Sequence, residues 1–412
     1  MKGKAKFFII LILGSLSAIG PFSIDMYLPG FTAIAEDLHT TTAHVSLSLS
    51  SFFIGISLGQ LFYGPLLDKF GRRKPLYFGL IMYILASLGC ALSKSADALI
   101  AIRFLQAFGG CAGMVAARAM VRDFFEVNEI AKVFSLLMLV IAVSPIIAPT
   151  TGGYVTALFG WQSIFIILAA IGVLTLAAVF FGLPPTREGD KSISLMPRPI
   201  LTGFWQILKH PQFYTYAFTG AIAAAGLYAY IAGSPHVFME LYHVTGKQYG
   251  WIFAIIAGGL ITSSQINTVL LKKYSSEQII RIALFLQVVA GISLFAGSML
   301  HLAGLFTSIF LIFIFLSCQG FIFPNSTALS IAPFTTNAGR ASALMGAIQL
   351  GIGAFTSALV SILHNQTALP MAGVMAACAI CSFIILLAGG RILHKASLQR
   401  VKEENAEMFM ST

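Results

Sequence analysis

The 412 residues are 58% hydrophobic and only 10% charged, a balance that excludes a soluble domain with a wetted surface. The formal charge of +10 could suggest a nucleic-acid partner, but the basic residues are scattered over many short segments instead of gathered on one face, so none is expected. The five cysteines, Cys90, Cys111, Cys318, Cys378 and Cys381, all lie in apolar runs where a thiol behaves as a small hydrophobe. Cys378 and Cys381 form a C-x-x-C without basic or histidine neighbours, so no metal or redox centre is expected there.

Taken in chain order, the N-terminal stretch opens with Lys2, Lys4 and Lys6 and superficially resembles a secretory signal. Its apolar run continues to Gly30 without a small-residue cleavage site, and it reads as a first membrane span. The predicted spans are 7–31, 44–67, 75–93, 98–118, 132–155 and 161–183, then 212–234, 249–271, 278–300, 304–332, 338–363 and 370–392. Each is long enough to cross a hydrocarbon core of about 30 Å as a helix. Between the two sets lies the only long polar connection, 184–211, with Arg187, Glu188, Asp190, Lys191, Arg198, Lys209 and several prolines. The expected organisation is therefore a six-helix unit over 1–183, a linker over 184–211, a second unit over 212–393 and a tail over 394–412.

Lys and Arg are retained on the cytoplasmic side during insertion. With the N-terminus inside, 22 of the 25 basic residues fall on the inner side, Lys94 and Lys247 fall outside, and Arg103 falls within span 4. That bias predicts an even span count with both termini in the cytoplasm of a bacterial inner-membrane protein.

An ionised side chain in hydrocarbon costs several kcal/mol unless it is paired or reaches water. Two stand out. Asp25 in span 1 and Arg103 in span 4 each lie about six residues below the outer end of their helix, roughly 9 Å deep at 1.5 Å per residue. At equal depth they can form an ion pair, and the acid can take a proton when the pair opens; a permanent bridge that only fixes helix packing is the plainer reading. Arg103 also heads a stripe of Gln106, Gly110, Gly113 and Ala117 at helical spacing. Its lower, small residues read as helix packing.

At the inner end of span 2 the chain reads Gly64-Pro-Leu-Leu-Asp68-Lys-Phe-Gly71-Arg72-Arg73-Lys74. Gly71 permits a tight turn between antiparallel helices, and Asp68 can pair with Arg72 or accept from backbone donors at a helix N-terminus. Such contacts would latch one conformation, although a solvated basic loop also serves topology alone. The spacing closely resembles the cytoplasmic signature of the major facilitator superfamily. Arg103-Phe-Leu-Gln106 with Gly109 and Gly110 is similar to that family's span 4 arginine motif. Ala148-Pro149-Thr-Thr-Gly152-Gly153 is similar to its antiporter-associated span 5 motif, departing from G-P-x-x-G-G at Ala148; a proline and two glycines also kink and pack any membrane helix.

Asp25-Met26-Tyr27-Leu28-Pro29, Arg118-Ala-Met-Val-Arg122-Asp123, Ala232-Gly233-Ser234-Pro235 and Gly320-Phe-Ile-Phe-Pro324-Asn325 together resemble the Bcr/CflA group of drug:proton antiporters. The resemblance implies an all-α membrane protein with twelve helices in two six-helix bundles around a cavity open to one side at a time. It also implies proton and substrate coupling by Asp25 and Arg103, no cofactor beyond the proton gradient, and export of small amphiphilic or drug-like molecules. An endogenous metabolite such as an amino acid or siderophore is the alternative cargo.

A cavity for such solutes needs aromatic faces and a few polar groups. Tyr27, Gln106, Tyr230, Gln265, Asn267, Gln319, Asn325 and Gln349 are the candidates, each equally readable as a helix-to-helix hydrogen bond. The partners expected are therefore the substrate, protons and the bilayer, with the chain as a monomer. An enzyme is not expected, since H-E-x-x-H, G-x-S-x-G and clustered acid or histidine ligands are missing from the spans. Nor is an ATP-driven pump, without G-x-x-x-x-G-K-[ST], or a receptor, without a signalling domain.

Overall fold

The computed structural model describes residues 3–184, 189–190, 197–334 and 338–410. Arg187, Glu188 and Lys191 of the polar connection lie outside the described residues. In the first half, α1 (Gly3–Asp25) is followed by a 3-10 turn (Leu28–Gly30), α2 (Phe31–Asp37), α3 (Thr42–Phe70), α4 (Arg73–Ala91), α5 (Ala96–Phe124), α6 (Val127–Phe159) and α7 (Gln162–Gly182). A short α8 (Pro197–Leu208) precedes α9 (Pro211–Pro235), which passes into a π-helical turn (His236–Leu241). The remainder is α10 (Gly246–Leu270), α11 (Ser276–Met299), α12 (Leu305–Ile331), α13 (Ala338–Ile362) and α14 (Leu369–Met410). Twelve helices among the described residues are long and apolar enough to cross a membrane. Side chains such as Phe181 and Phe306, both 83% exposed, cover the flanks, as lipid rather than water requires.

The ends of the helices follow from local chemistry. Thr41 and Ser95 accept from the backbone N–H groups of His44 and Ala98, and Thr245 with Gln248 and Ser275 with Gln278 form capping boxes at α10 and α11, so the first orphan donors are satisfied where the spans begin. Gly71 turns the chain between α3 and α4 at φ +79°, a conformation that other residues resist.

Three boundaries differ from the sequence reading. Span 1 is interrupted after Asp25. The connection between the halves contains α8, whose Leu201 and Trp205 are exposed apolar groups, with the Lys209 ammonium 5.4 Å from the Trp205 ring; prolines and charges had marked this stretch as a linker. Finally, the last helix runs to Met410, because Ala, Leu, Gln, Arg, Lys and Glu after residue 393 are all strong helix formers.

α1 and α3 to α7 form one bundle, in which α3 and α4 pack on α5, α4 on α7 and α1 on α5, α6 and α7. α9 to α14 form the other, with α9 against α12, α13 and α14. The bundles meet along α3 with α13 and α6 with α10. Twelve crossings bring both ends of the chain to one face, here the terminal face. Towards the opposite face the seam is closed by hydroxyl contacts: Ser361 Oγ donates to Ser46 Oγ at 2.8 Å, Ser46 Oγ to the Ala232 carbonyl at 3.2 Å and Ser50 Oγ to Ser357 Oγ at 2.9 Å. Such short side chains let helices approach closely without leaving a polar group in hydrocarbon unsatisfied.

Candidate functional site

The interruption of span 1 follows from Pro29. In a continuous helix the N–H of residue 29 would bond the carbonyl of residue 25; proline lacks that hydrogen, and its ring clashes with the same carbonyl. The helix accordingly stops at Asp25 and restarts at Phe31 through the 3-10 turn. The Met26 carbonyl, freed by the break, rests on α6: a Cβ on Gly152 would lie 1.9 Å from that oxygen. Pro149 and Gly153 complete the contact from the other side of α6, where a Cβ on Gly153 would meet the Gly246 carbonyl at 2.6 Å and one on Gly250 the Pro149 carbonyl at 3.0 Å. The antiporter-type motif thus sits where the broken span, α6 and α10 converge, close to the opposite face.

Arg103 is wholly buried, with 0% exposure. Its guanidinium donates at 2.9 Å to the Ser23 carbonyl and at 2.6 Å to Gln106 Oε1, whose amide donates at 2.8 Å to Ser87 Oγ. The charged carbon stands 4.1 Å from the ring centre of Phe52, 4.7 Å from Tyr27 and 5.8 Å from Phe165, a cation–π cage in a desolvated place. Tyr27 is fixed in turn by a hydroxyl contact with Ser48, and Ser23 by one of 2.7 Å to the Tyr83 hydroxyl.

The direct Asp25–Arg103 pair that equal depth suggested is not formed. Asp25 is 5% exposed and has no hydrogen bond or ion pair with a described residue; it lies instead near Tyr230 and Tyr249 of the second bundle. Helix rotation explains the difference, because two residues turn an α-helix by about 200°. Ser23 and Tyr27, two residues either side of Asp25, both turn to Arg103, which leaves the carboxyl on another face. Arg103 therefore holds the backbone that carries Asp25 without touching the acid.

In the terminal-face loop Asp68 pairs with Arg72, and Asp123 joins them. Arg72 bridges Asp68 (Nη1 to Oδ1, 2.5 Å) and Asp123 (Nε to Oδ2, 2.9 Å). Burial opposes its charge, but the two carboxylates outweigh burial and raise the guanidinium above its ordinary value. Arg73 donates to the Leu183 and Pro184 carbonyls, and the Asp190 N–H donates at 2.9 Å to the Asp68 carbonyl. These contacts tie α3, α4, α5 and the connection together. Asp123 appeared in the sequence only within the Arg118 to Asp123 motif, and its tie to Arg72 spans 51 residues, which no local spacing announces. A Cβ added at Gly64 would meet no described atom within 4 Å, so its lack of a side chain is not used for packing.

The predicted cavity residues do not all converge. Tyr27 and Gln106 belong to the Arg103 network, and Tyr230 lies buried near Asp25 and Ser234. Asn325 donates to Asn267 at 2.7 Å, and Gln287 donates to Gln319 at 3.5 Å; these three candidates serve contacts between helices. Gln265 is exposed and Gln349 half-buried. Seryl and tyrosyl partners such as Ser23, Ser48, Tyr83 and Tyr249 were missed because single hydroxyls in apolar spans carry no pattern. A cavity of about 1000 Å³ opens at the terminal face of the second bundle beside Tyr216, Glu277, Arg281 and Arg391, apart from all of these groups.

A family model described as Major Facilitator Superfamily matches residues 13–358. The chain belongs to the major facilitator superfamily. It is 36% identical over 375 residues to an uncharacterised transporter of the same type, YdgK, from Bacillus subtilis, covering 90% of this chain and 93% of that one. It is 33% identical to a bicyclomycin resistance protein homolog of Haemophilus influenzae, with 92% and 96% covered, and 29% identical to the multidrug resistance protein MdtL of Escherichia coli, with 90% and 93% covered. In fold it is similar to a bacterial homolog of the human lysosomal transporter Spinster in an inward-facing, unoccupied conformation (TM-score 0.69, 14% identity, 98% and 99% covered). A D-xylose–proton symporter is similar too (TM-score 0.71, 11% identity, 92% and 97% covered).

As a major facilitator protein the chain is a transporter, not an enzyme, and a multi-pass protein of the bacterial inner membrane. Its Arg72 contacts yield a first prediction. Arg72→Ala leaves the Asp123 carboxylate, 14% exposed, without its cation, and is expected to lower stability by about 2 kcal/mol, the cost of losing charged hydrogen bonds in a half-buried place. Thermal unfolding in detergent reads this; an unchanged melting temperature would mean that the bridge holds nothing together.

Proposed function

We propose that this transporter exports small amphiphilic, drug-like molecules in exchange for inward-moving protons, with Asp25 as proton carrier and Arg103 as the fixed cation that ties it to the moving helices. The observation that carries this reading is the placement of Asp25: a buried carboxyl with no counter-charge among the described residues, at the break in a span, beside the second bundle. An ionised carboxyl costs several kcal/mol in such a place, so its charge has to be met in turn by a proton, by a cationic group on the cargo, or by water when the bundles part. Because Arg103 grips Ser23 and Tyr27, a movement of Asp25 on loading or release is passed to α5 and the first bundle. Units 1–183 and 212–393 would rock about the site, with 184–211 as the link, 394–412 as a tail and the Gly64 to Arg73 loop latching the terminal face.

The inner-side bias of 22 of 25 basic residues supports cytoplasmic termini, so that the seam at the opposite face looks outwards. Nothing in the proposed cycle needs a second copy of the chain. The bicyclomycin and multidrug resistance names of relatives aligned over nine-tenths of the chain support drug-like cargo, and with it a contribution to antibiotic resistance.

The test is transport in proteoliposomes with an imposed pH gradient, comparing the wild type with Asp25→Asn. The variant is expected to bind cargo and exchange it down a gradient while losing uphill transport and the accompanying proton flux. Uphill transport at normal proton stoichiometry by the asparagine variant would sink the assignment.

A further inference from the structure

The seam at the outward-looking face holds three ionisable groups that the Asp25–Arg103 site does not use. His236, in the π-helical turn after α9, shares a hydrogen bond through Nδ1 with the Glu240 carboxylate one turn on. Its ring lies edge-on to that of His364, in the connection between α13 and α14, with 4.1 Å between ring centres. His236 Nε2 is buried without a partner among the described residues. The two rings line a cavity of about 20 Å³ between the bundles, room for a water molecule.

Around that cavity stand Phe31 of α2, Thr42, Ala43 and Ser46 of α3, Ala232 and Gly233 of α9, Val360 and Ser361 of α13, and Pro370 and Met371 of α14. None of these can ionise; the charged groups that act on His364 are His236 and Glu240, while His44, beside Ala43 on α3, is turned to Thr40 and Asp97. One carboxylate can balance one imidazolium. A second, 4.1 Å away between ring centres and partly desolvated, has no counter-charge of its own among them and repels the first.

The two histidines also stand on the segments that hold the seam shut. Ser361, whose hydroxyl donates to Ser46, is three residues before His364, and Ala232, whose carbonyl accepts from Ser46, is four before His236. Two residues before His236, Ser234 shares a 2.8 Å hydroxyl contact with Tyr249, one of the two tyrosines near Asp25.

We propose that His236, Glu240 and His364 form a second proton-binding station, distinct from Asp25, and that loading it from outside pushes the α9 turn and the α13–α14 connection apart, which breaks the Ala232 and Ser361 contacts with Ser46 of the first bundle and opens the outward seam. The inference rests on the proton-coupled reading above and adds to it the place where an external proton first acts. The sign follows from His364: burial, then the neighbouring His236, hold its imidazole below the ordinary histidine value, with Glu240 opposing. A group whose value is depressed in the closed seam and recovers when the seam opens favours the closed form at high pH and loses it as pH falls. One linked proton changes the closed-to-open ratio by up to about tenfold per pH unit.

The experiment is a distance measurement by double electron–electron resonance on the full chain in lipid nanodiscs. Spin labels are placed at Lys94→Cys and Leu302→Cys, both exposed on this face, with the exposed Cys381 replaced by serine. Between about pH 7.5 and 5.5, a window around the ordinary histidine value, the unmutated seam is expected to shift from short to long distances. His364→Gln, which cannot charge, is expected to stay at short distances at both values, and His364→Arg, always charged, to show long distances already at the higher pH. A glutamine variant with the full wild-type shift overturns the station. Should that variant not fold, the arginine variant decides, and short distances at both values overturn it.

The same measurement on Asp25→Asn separates the two proposals. A pH shift that persists there and disappears with His364→Gln supports the station whatever becomes of coupling. A shift removed by Asp25→Asn and untouched by His364→Gln overturns the station and leaves the Asp25 assignment standing.

Discussion

Arg103→Met is expected to keep the fold and lose transport. Arg103 is fully buried and faces no described carboxylate; a carbonyl, an amide oxygen and three aromatic faces share its charge. Removing the guanidinium spares the cost of burying a charge but leaves the Ser23 carbonyl and Gln106 Oε1 short of a donor, so the methionine variant should fold and lose about 2 kcal/mol of stability. What it lacks is the fork that grips the Ser23 carbonyl and Gln106 together while stacking on Tyr27 and Phe52. Proton-driven transport in proteoliposomes should therefore fall to background. Arg103→Lys should fare little better, because an ammonium keeps the charge but neither forks nor stacks like a guanidinium. Normal transport by the methionine variant would overturn the coupling role proposed for Arg103.

Gly152→Ala should do the reverse, harming structure and function together. The added carbon would sit 1.9 Å from the Met26 carbonyl oxygen and 2.8 Å from its carbon. Both are backbone atoms of the interrupted segment, so no side-chain rotation relieves the overlap. Either α6 backs away from the break or the 3-10 turn deforms, at a cost at the upper end of overpacking, about 3 kcal/mol. Because the displaced segment carries Asp25, transport should fall with the melting temperature. Gly64→Ala is the control within the same protein. Its site is empty within 4 Å and lies inside α3, where alanine is the better helix former by about 1 kcal/mol, so its melting temperature should not drop. A Gly152→Ala protein as stable as Gly64→Ala would contradict the close approach between α6 and the break.

The two substitutions mark where sequence reasoning succeeded and where it stopped. Asp25 and Arg103 were found because charge inside an apolar run is conspicuous on one-dimensional grounds, and the loop from Gly64 to Lys74 because its turn chemistry is local. Their relationship was not legible. Counting residues from span ends placed them at equal depth and suggested a direct pair, but depth says nothing of azimuth. Pro29, read only as part of a motif, breaks the helix just after Asp25 and brings Tyr27 as well as Ser23 to the arginine, while helix rotation leaves the Asp25 carboxyl on another face. Asp123 in the latch, the Tyr27–Ser48 and Ser234–Tyr249 contacts and the His236–His364 pair are likewise meetings of side chains that no motif links. The polar residues assigned to one cavity were recognised as needing partners, yet Asn267, Asn325 and Gln319 found theirs on neighbouring helices of a single bundle.

The sequence by itself determined that this chain lives in a bilayer, crosses it twelve times and keeps two charges in the apolar region, because hydrophobic run length and the cost of buried charge are properties of composition and order. The tertiary structure decided which groups meet those charges. That choice depends on helix rotation, on the break after Asp25 and on close approaches such as Gly152 to Met26, all set by packing between segments that no sequence window contains.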